Sequence, residues 1–255
     1  MATIIAFPEL AVQDAFDLEL AFLDGCLPVS HATRREVVDG ALAQAFDADL
    51  PIDQRLDLAG YLALAHGSHF LNTRVMPLLA AEEGADRQVA ALALGYRGNL
   101  SAVFALVALL DDEDVDVQRT AVVALAGIRD HRVLSFLLGV LDRDDALVTT
   151  VLSALRLFPL AQTEPVYRRY LTSDHADVSL LALGAYLSLD APDAVSVARR
   201  FLDHGDRRHR CLALTILEHH GQRRELELVL PLRRDSDPRV RHLVDELIPR
   251  LRDRH

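Results

Sequence analysis

The residues in this chain that could do chemistry are few and widely separated. His219 and His220 stand side by side after Glu218, a set that could offer a metal two nitrogens and a carboxylate. Adjacent helical residues point about 100° apart, so the two imidazoles do not converge on one ion. They precede Gly221, and a helix C-terminus is where histidine complements the backbone dipole. His66 and His69 flank Gly67 and read the same way. Cys211 lies in Arg-Cys-Leu-Ala-Leu-Thr-Ile-Leu, a setting that packs a small side chain rather than activating a thiolate. Cys26 is far from it in sequence, so neither a disulfide framework nor a metal spacing results. All 27 basic residues are arginine, which removes Schiff-base and P-loop lysine chemistry. No glycine-rich phosphate loop and no nucleophile elbow occurs. The acidic run Asp111-Asp112-Glu113-Asp114 reads as charge at a helix N-terminus, not as a metal site. The expectation is a chain without catalytic residues, metal or cofactor.

The elements that position these residues are helices, and they repeat. Asp114-Val-Asp-Val-Gln-Arg-Thr-Ala-Val-Val-Ala-Leu is an acidic cap followed by a small-residue apolar helix. Asp145, Asp206 and Asp237 open similar stretches, and the steps are 31, 61 and 31 residues. His175 stands near the middle of the long step, and Asp86 and Asp53 continue the series backwards. A period of this size, with units that cannot bury their apolar faces alone, marks a solenoid. The expected hairpins are 30–46 with 53–66, 69–82 with 86–97, 100–110 with 114–128, 131–141 with 145–157, 162–172 with 176–189, 193–203 with 206–219, and 222–232 with 237–251. Gly84 is expected at the turn of the second. Ala93, Ala121, Ala154, Ala182 and Ala213 are expected where the second helices pack closely. Residues 9–25 form an amphipathic stretch outside the period and read as a cap on one end of the core. The predicted organisation is a capping segment over 1–29 and one continuous repeat domain over 30–255.

Composition agrees with this. The chain is 51% hydrophobic and 25% charged, with 5% aromatics and no tryptophan, so leucine, valine and alanine must build the core. The net charge is -11. Residues 199–255 hold 14 Arg against 10 Asp and Glu, a net +4, and the preceding 198 residues carry -15. An acidic body repels nucleic acid and anionic lipid. The N-terminus lacks a basic start and no apolar run approaches bilayer length. A cytoplasmic location is the expectation.

Asp114-Val-Asp-Val117 followed by Ala121, and Asp237-Pro-Arg-Val240 followed by Val244, carry an Asp-x-x-Val pattern. It resembles the HEAT-repeat family, especially the short bacterial variety described as phycobilisome-lyase-like, over roughly residues 53–251. The resemblance implies an all-α, right-handed α-solenoid of about seven helical hairpins. It also implies protein binding, since members act mostly as scaffolds and a minority as enzymes or nucleic-acid binders. HEAT-type di-iron enzymes such as deoxyhypusine hydroxylase carry His-Glu pairs at the start of several second helices. Here those places read Arg119-Thr120, Thr150-Val151, Leu180-Leu181 and His242-Leu243. The pairs are missing.

What remains is a surface. On the second helices, Ala90 and Ala91, Gln118 and Arg119, Thr149 and Thr150, Ser179 and Leu180, Arg210 and Cys211, and Arg241 and His242 are expected to leave the core. One turn on, Val122, Ser153, Leu183 and Leu214 are expected to give the strip an apolar floor. Such a groove on the concave face, with arginine at one end, suits a partner helix or an acidic peptide. The leading reading is a non-catalytic scaffold or adaptor for a protein partner. The second is a lyase- or chaperone-like protein acting on a cofactor-bearing protein. The third is nucleic-acid binding through the arginine-rich C-terminal repeats, against which stand the net charge and the scarcity of aromatic stacking platforms.

Overall fold

The computed structural model describes residues 39–65, 68–96, 100–141, 145–187 and 191–254. The proposed cap over 9–25, Cys26 and His66 lie outside them. The described residues are helical and contain no strand. They fall into two compact units, Met1–Arg143 and Asp144–His255.

In the first unit, α1 (Ile52–Ala65), α2 (Gly84–Tyr96) and α4 (Val115–Ile128) are the second helices of successive hairpins. Each packs on the next, α1 on α2 and α2 on α4. The short α3 (Val103–Ala108) and α5 (His131–Leu141) lie against α4. In the second unit, α6 (Val148–Leu155), α8 (Ala176–Gly184), α10 (Arg207–His220) and α11 (Pro238–Arg252) form the equivalent series. Helix α7 (Leu160–Tyr170) packs on α8, and α9 (Ala194–Phe201) on α10. The fold is thus an all-α solenoid, with second helix stacked on second helix within each unit. The expected close-packing alanines 93, 121, 154, 182 and 213 are all buried.

The local causes are visible at the helix ends. Asp114, Asp206 and Asp237 take extended backbone, and each side chain accepts the N–H two residues on. This satisfies an orphan donor and places negative charge at the positive end of the helix. Other starts differ from expectation. Helix α2 begins at Gly84 and α1 at Ile52, so Asp86 and Asp53 sit in first turns instead of capping. Gly84 therefore belongs to the helix, not the turn. A Cβ there would lie 2.5 Å from the Asp114 carboxylate of the next repeat. His175 holds a cap position by backbone alone. Residues Asp145–Leu147 form a 3-10 turn before α6.

Among the described residues three first helices are composite, and in 100–111 a 3-10 turn stands on either side of α3. Residues 68–80 pass from α to π over Leu71–Val75 and to 3-10 over Met76–Ala80. Residues 223–234 end in a 3-10 stretch, Leu230–Arg234. Pro77 and Pro231 open these 3-10 stretches. A proline supplies no N–H and crowds the carbonyl four residues back, which weakens the α ladder at these two positions, although α7 and α11 continue through Pro165 and Pro249. Among the described residues no helix is long and apolar enough to cross a membrane.

Candidate functional site

One side chain recurs in the seams of both units. Four residues after the cap position of a second helix, an arginine or glutamine turns back towards the preceding loop. Arg87 donates Nη1 to the carbonyls of Ala81 and Glu82, while its Nε and Nη2 both reach Asp112 at 2.8 Å. Arg210 does the same with His204 and Gly205, and with Asp235. Asp112 and Asp235 in turn accept the N–H of the next capping residues, Asp114 and Asp237. Each fork therefore ties a loop, its own helix and the next repeat together. Arg241 reaches the Asp235 and Ser236 carbonyls, and Gln118 that of Asp112. The Arg210 hydrogen bonds, against some desolvation, hold the Asp235 carboxyl below its ordinary value of 3.8.

This seam corrects the surface read from sequence. Ala90, Ala91, Arg210 and Ser179 are buried, and Gln118 and Arg241 are half-buried. Val122, Leu183 and Leu214 are core residues with almost no exposure. The outward row lies one residue further along. It comprises Arg119 and Val123 in the first unit, and Thr149, Ser153 and His242 in the second, with Leu180, Cys211 and Thr215 half-buried beside them. A one-residue offset rotates a helical position by about 100°, enough to move it from solvent into a seam. Arg119, Thr149, Ser153 and His242 are thus placed outward as expected. Arg119 pairs with Asp116 at 2.8 Å and His242 lies 3.4 Å from Glu246.

In the second unit this row frames an open groove of about 800 Å³ across α8, α10 and α11. Leu180, Leu212, Leu243, Cys211 and Pro238 make its floor. Arg207, Arg208, Arg239 and His242 stand around it. Arg207 is paired with Asp237 and Arg208 with Asp206 and Asp177, all through arginine side chains that are about half exposed. Burial pushes the Cys211 thiol above its ordinary value, so it is a poor nucleophile at neutral pH.

Beneath the floor lies a contact that sequence reading missed. Ser179 Oγ of α8 is 2.6 Å from His209 Nε2 of α10, and Asp206 Oδ2 lies 3.8 Å from His209 Nδ1. Serine, histidine and aspartate stand in the order of a hydrolytic relay. Ser179 is 3% exposed and His209 fully buried, so no substrate carbonyl reaches the hydroxyl. The trio is a seam contact. Its sequence signal is the 30-residue separation of Ser179 and His209, one repeat. Among the described residues no group of three or more His, Cys, Asp or Glu side chains is arranged to hold a metal ion.

The family model for HEAT repeats matches residues 73–156. No curated protein matches the chain. Among solved structures, the CpcE–CpcF complex of phycocyanin lyase from Nostoc is 21% identical, covering 84% of this chain and 94% of that one, with a TM-score of 0.49. An engineered protein is 18% identical, covering 86% and 69%, at 0.48. Human deoxyhypusine hydroxylase, in complex with glycerol, is 16% identical, covering 89% and 99%, at 0.41. These are likenesses at low identity and carry nothing about activity. Over residues 73–156, about a third of the chain, the HEAT-repeat pattern coincides with the stacked second helices and with the capping aspartate Asp114.

Proposed function

We propose that this protein is a cytoplasmic, non-catalytic scaffold that holds an acidic amphipathic segment of a partner protein in the groove of its second unit. The observation that carries this reading is the groove itself, an apolar floor of Leu180, Leu212 and Leu243 flanked by Arg207, Arg208 and Arg239. An amphipathic helix laid on such a floor buries its apolar anchors at i, i+3 and i+4. Its carboxylates meet the guanidinium groups beside them. Both arginines are about half exposed in the pairs they now make, and the Arg208–Asp177 pair is exposed on both sides and contributes little, so its exchange to a partner's carboxylate is inexpensive. Arg119, Thr149, Ser153 and His242 belong to the outward rows and are the remaining contact candidates. Arg210 and Arg241 are spoken for by the seam and are withdrawn as contacts.

The test is capture of partners from native lysate by the tagged chain, compared with the triple variant Arg207→Gln, Arg208→Gln, Arg239→Gln. A specific protein partner should be retained by the native chain and lost roughly 10- to 100-fold in the variant, since three rim charges each contribute modestly. Retention should also weaken as salt rises, because the contacts are exposed. Retention unchanged in the variant overturns the groove assignment. A pigmented protein as the sole captured species favours the lyase-like reading instead.

A further inference from the structure

We infer that the second unit contains an acid-sensitive latch, the buried contact of Ser179 with His209 across the seam between α8 and α10. The geometry carries it. Ser179 Oγ lies 3.3 Å from the Ala176 carbonyl and donates there, which leaves it to accept from His209 Nε2–H at 2.6 Å. In that neutral tautomer Nδ1 is a bare acceptor, and it is buried without a hydrogen-bond partner. The ring is stacked against Phe201, with centroids 5.7 Å apart, and lies 4.0 Å from the His204 ring. The seam is therefore built around an uncharged imidazole.

The surroundings oppose a second proton on this ring. The charged and titratable groups near it are His204 and Asp206 in the preceding turn, Arg208 on its own helix, and Asp177 on α8, while α9 faces it with Phe201. Burial, His204 and Arg208 push the His209 pKa below its ordinary 6.5, and the two carboxylates pull only part of the way back. His204 is itself engaged, accepting the Asp206 N–H on Nδ1. A proton on His209 Nδ1 would point towards Asp206 Oδ2, 3.8 Å away. That oxygen already accepts from Arg208 Nε. Drawing it to the imidazolium disturbs the cap of α10.

The sign follows from linkage. The unfolded chain takes up the proton near pH 6.5 and the folded chain only at lower pH, so the latch is fully closed above 6.5. Its contribution is lost progressively as pH falls from 6.5 towards the depressed folded value. The carboxylate pairs, with Asp206, Asp235 and Asp237 below 3.8, weaken only at more acid pH, so the two windows separate. The latch lies directly under the docking face, because Leu180 follows Ser179 and Arg208 precedes His209.

The experiment is the thermal midpoint of the full chain by circular dichroism at pH 7.5, 6.5 and 5.5, for the native sequence and for His209→Gln. The glutamine amide can donate to Ser179 and does not titrate. The native midpoint should fall by roughly 3–6 °C between pH 7.5 and 5.5, and the variant's should stay level. Equal slopes in the two proteins overturn the latch. If the variant does not fold, the ring resonances of His209 in the native chain decide the matter. Titration below 6.5, with loss of α8 and α10 amide protection over the same range, supports it. Titration at or above 6.5 overturns it.

Discussion

Replacing Arg210 with alanine is expected to lower the stability of the second unit by roughly 3–5 kcal/mol, with a similar loss in the first unit for Arg87→Ala. Each guanidinium fork is only about a tenth exposed, and so is the carboxylate it grips. Removing the arginine strands Asp235 or Asp112 in the seam and leaves two loop carbonyls without donors. The cost of abandoning a buried partner exceeds the net worth of the pair. Arg210→Lys should restore only part of the loss, since an ammonium cannot span two carboxylate oxygens and two carbonyls in one plane. Arg119→Ala is the control. Its pair with Asp116 is exposed on both sides, and its loss should stay within about 0.5 kcal/mol. Urea unfolding of the four variants beside the native chain reads this directly. An Arg210→Ala loss no larger than the Arg119→Ala loss contradicts the seam.

The second large effect is expected at Gly95, in α2. A Cβ at this position would overlap the Ala124 backbone of α4, with the Ala124 Cβ and carbonyl oxygen both 2.7 Å away. The helices approach so closely because Gly127 sits opposite as well, where a Cβ would lie 3.1 Å from the Gly95 carbonyl. In an open helix, glycine to alanine gains about 0.5–1 kcal/mol of propensity. Here overpacking costs about 1–3 kcal/mol and wins. Gly95→Ala should therefore destabilise, and Gly95→Val more so. Gly139, on the exposed side of α5, has nothing within 4 Å of its would-be Cβ, so Gly139→Ala should stabilise by about 0.5–1 kcal/mol. Opposite signs for the same substitution at two helical glycines are the expected result in thermal unfolding.

The repeat, its period and most helix boundaries were legible in the sequence. Asp114, Asp206 and Asp237 announce them, because a capping aspartate before an apolar helix is local chemistry that needs no tertiary context. The site was legible only in part. Arg119 and Arg210 differ by one helical step, yet one faces solvent and the other a seam, and residue type does not distinguish them. The second helix of the fourth hairpin shows the same sensitivity. Counted from Asp145, Thr149 and Ser153 occupy the places of Gln118 and Val122, but their exposure matches Arg119 and Val123. A sequence signal for the forks did exist. Arg87 to Asp112 and Arg210 to Asp235 are both 25 residues apart, with each aspartate two residues before a cap.

The most direct measurement on the groove is site-specific photo-cross-linking, with a benzophenone side chain at Leu212 on its floor and, separately, at Phe104, which is 80% exposed in the first unit. In native lysate the Leu212 probe should label one partner, on an acidic amphipathic segment. The triple replacement of Arg207, Arg208 and Arg239 by glutamine should abolish the adduct. Labelling at Phe104 alone, or a Leu212 adduct that survives the triple replacement, would contradict the account.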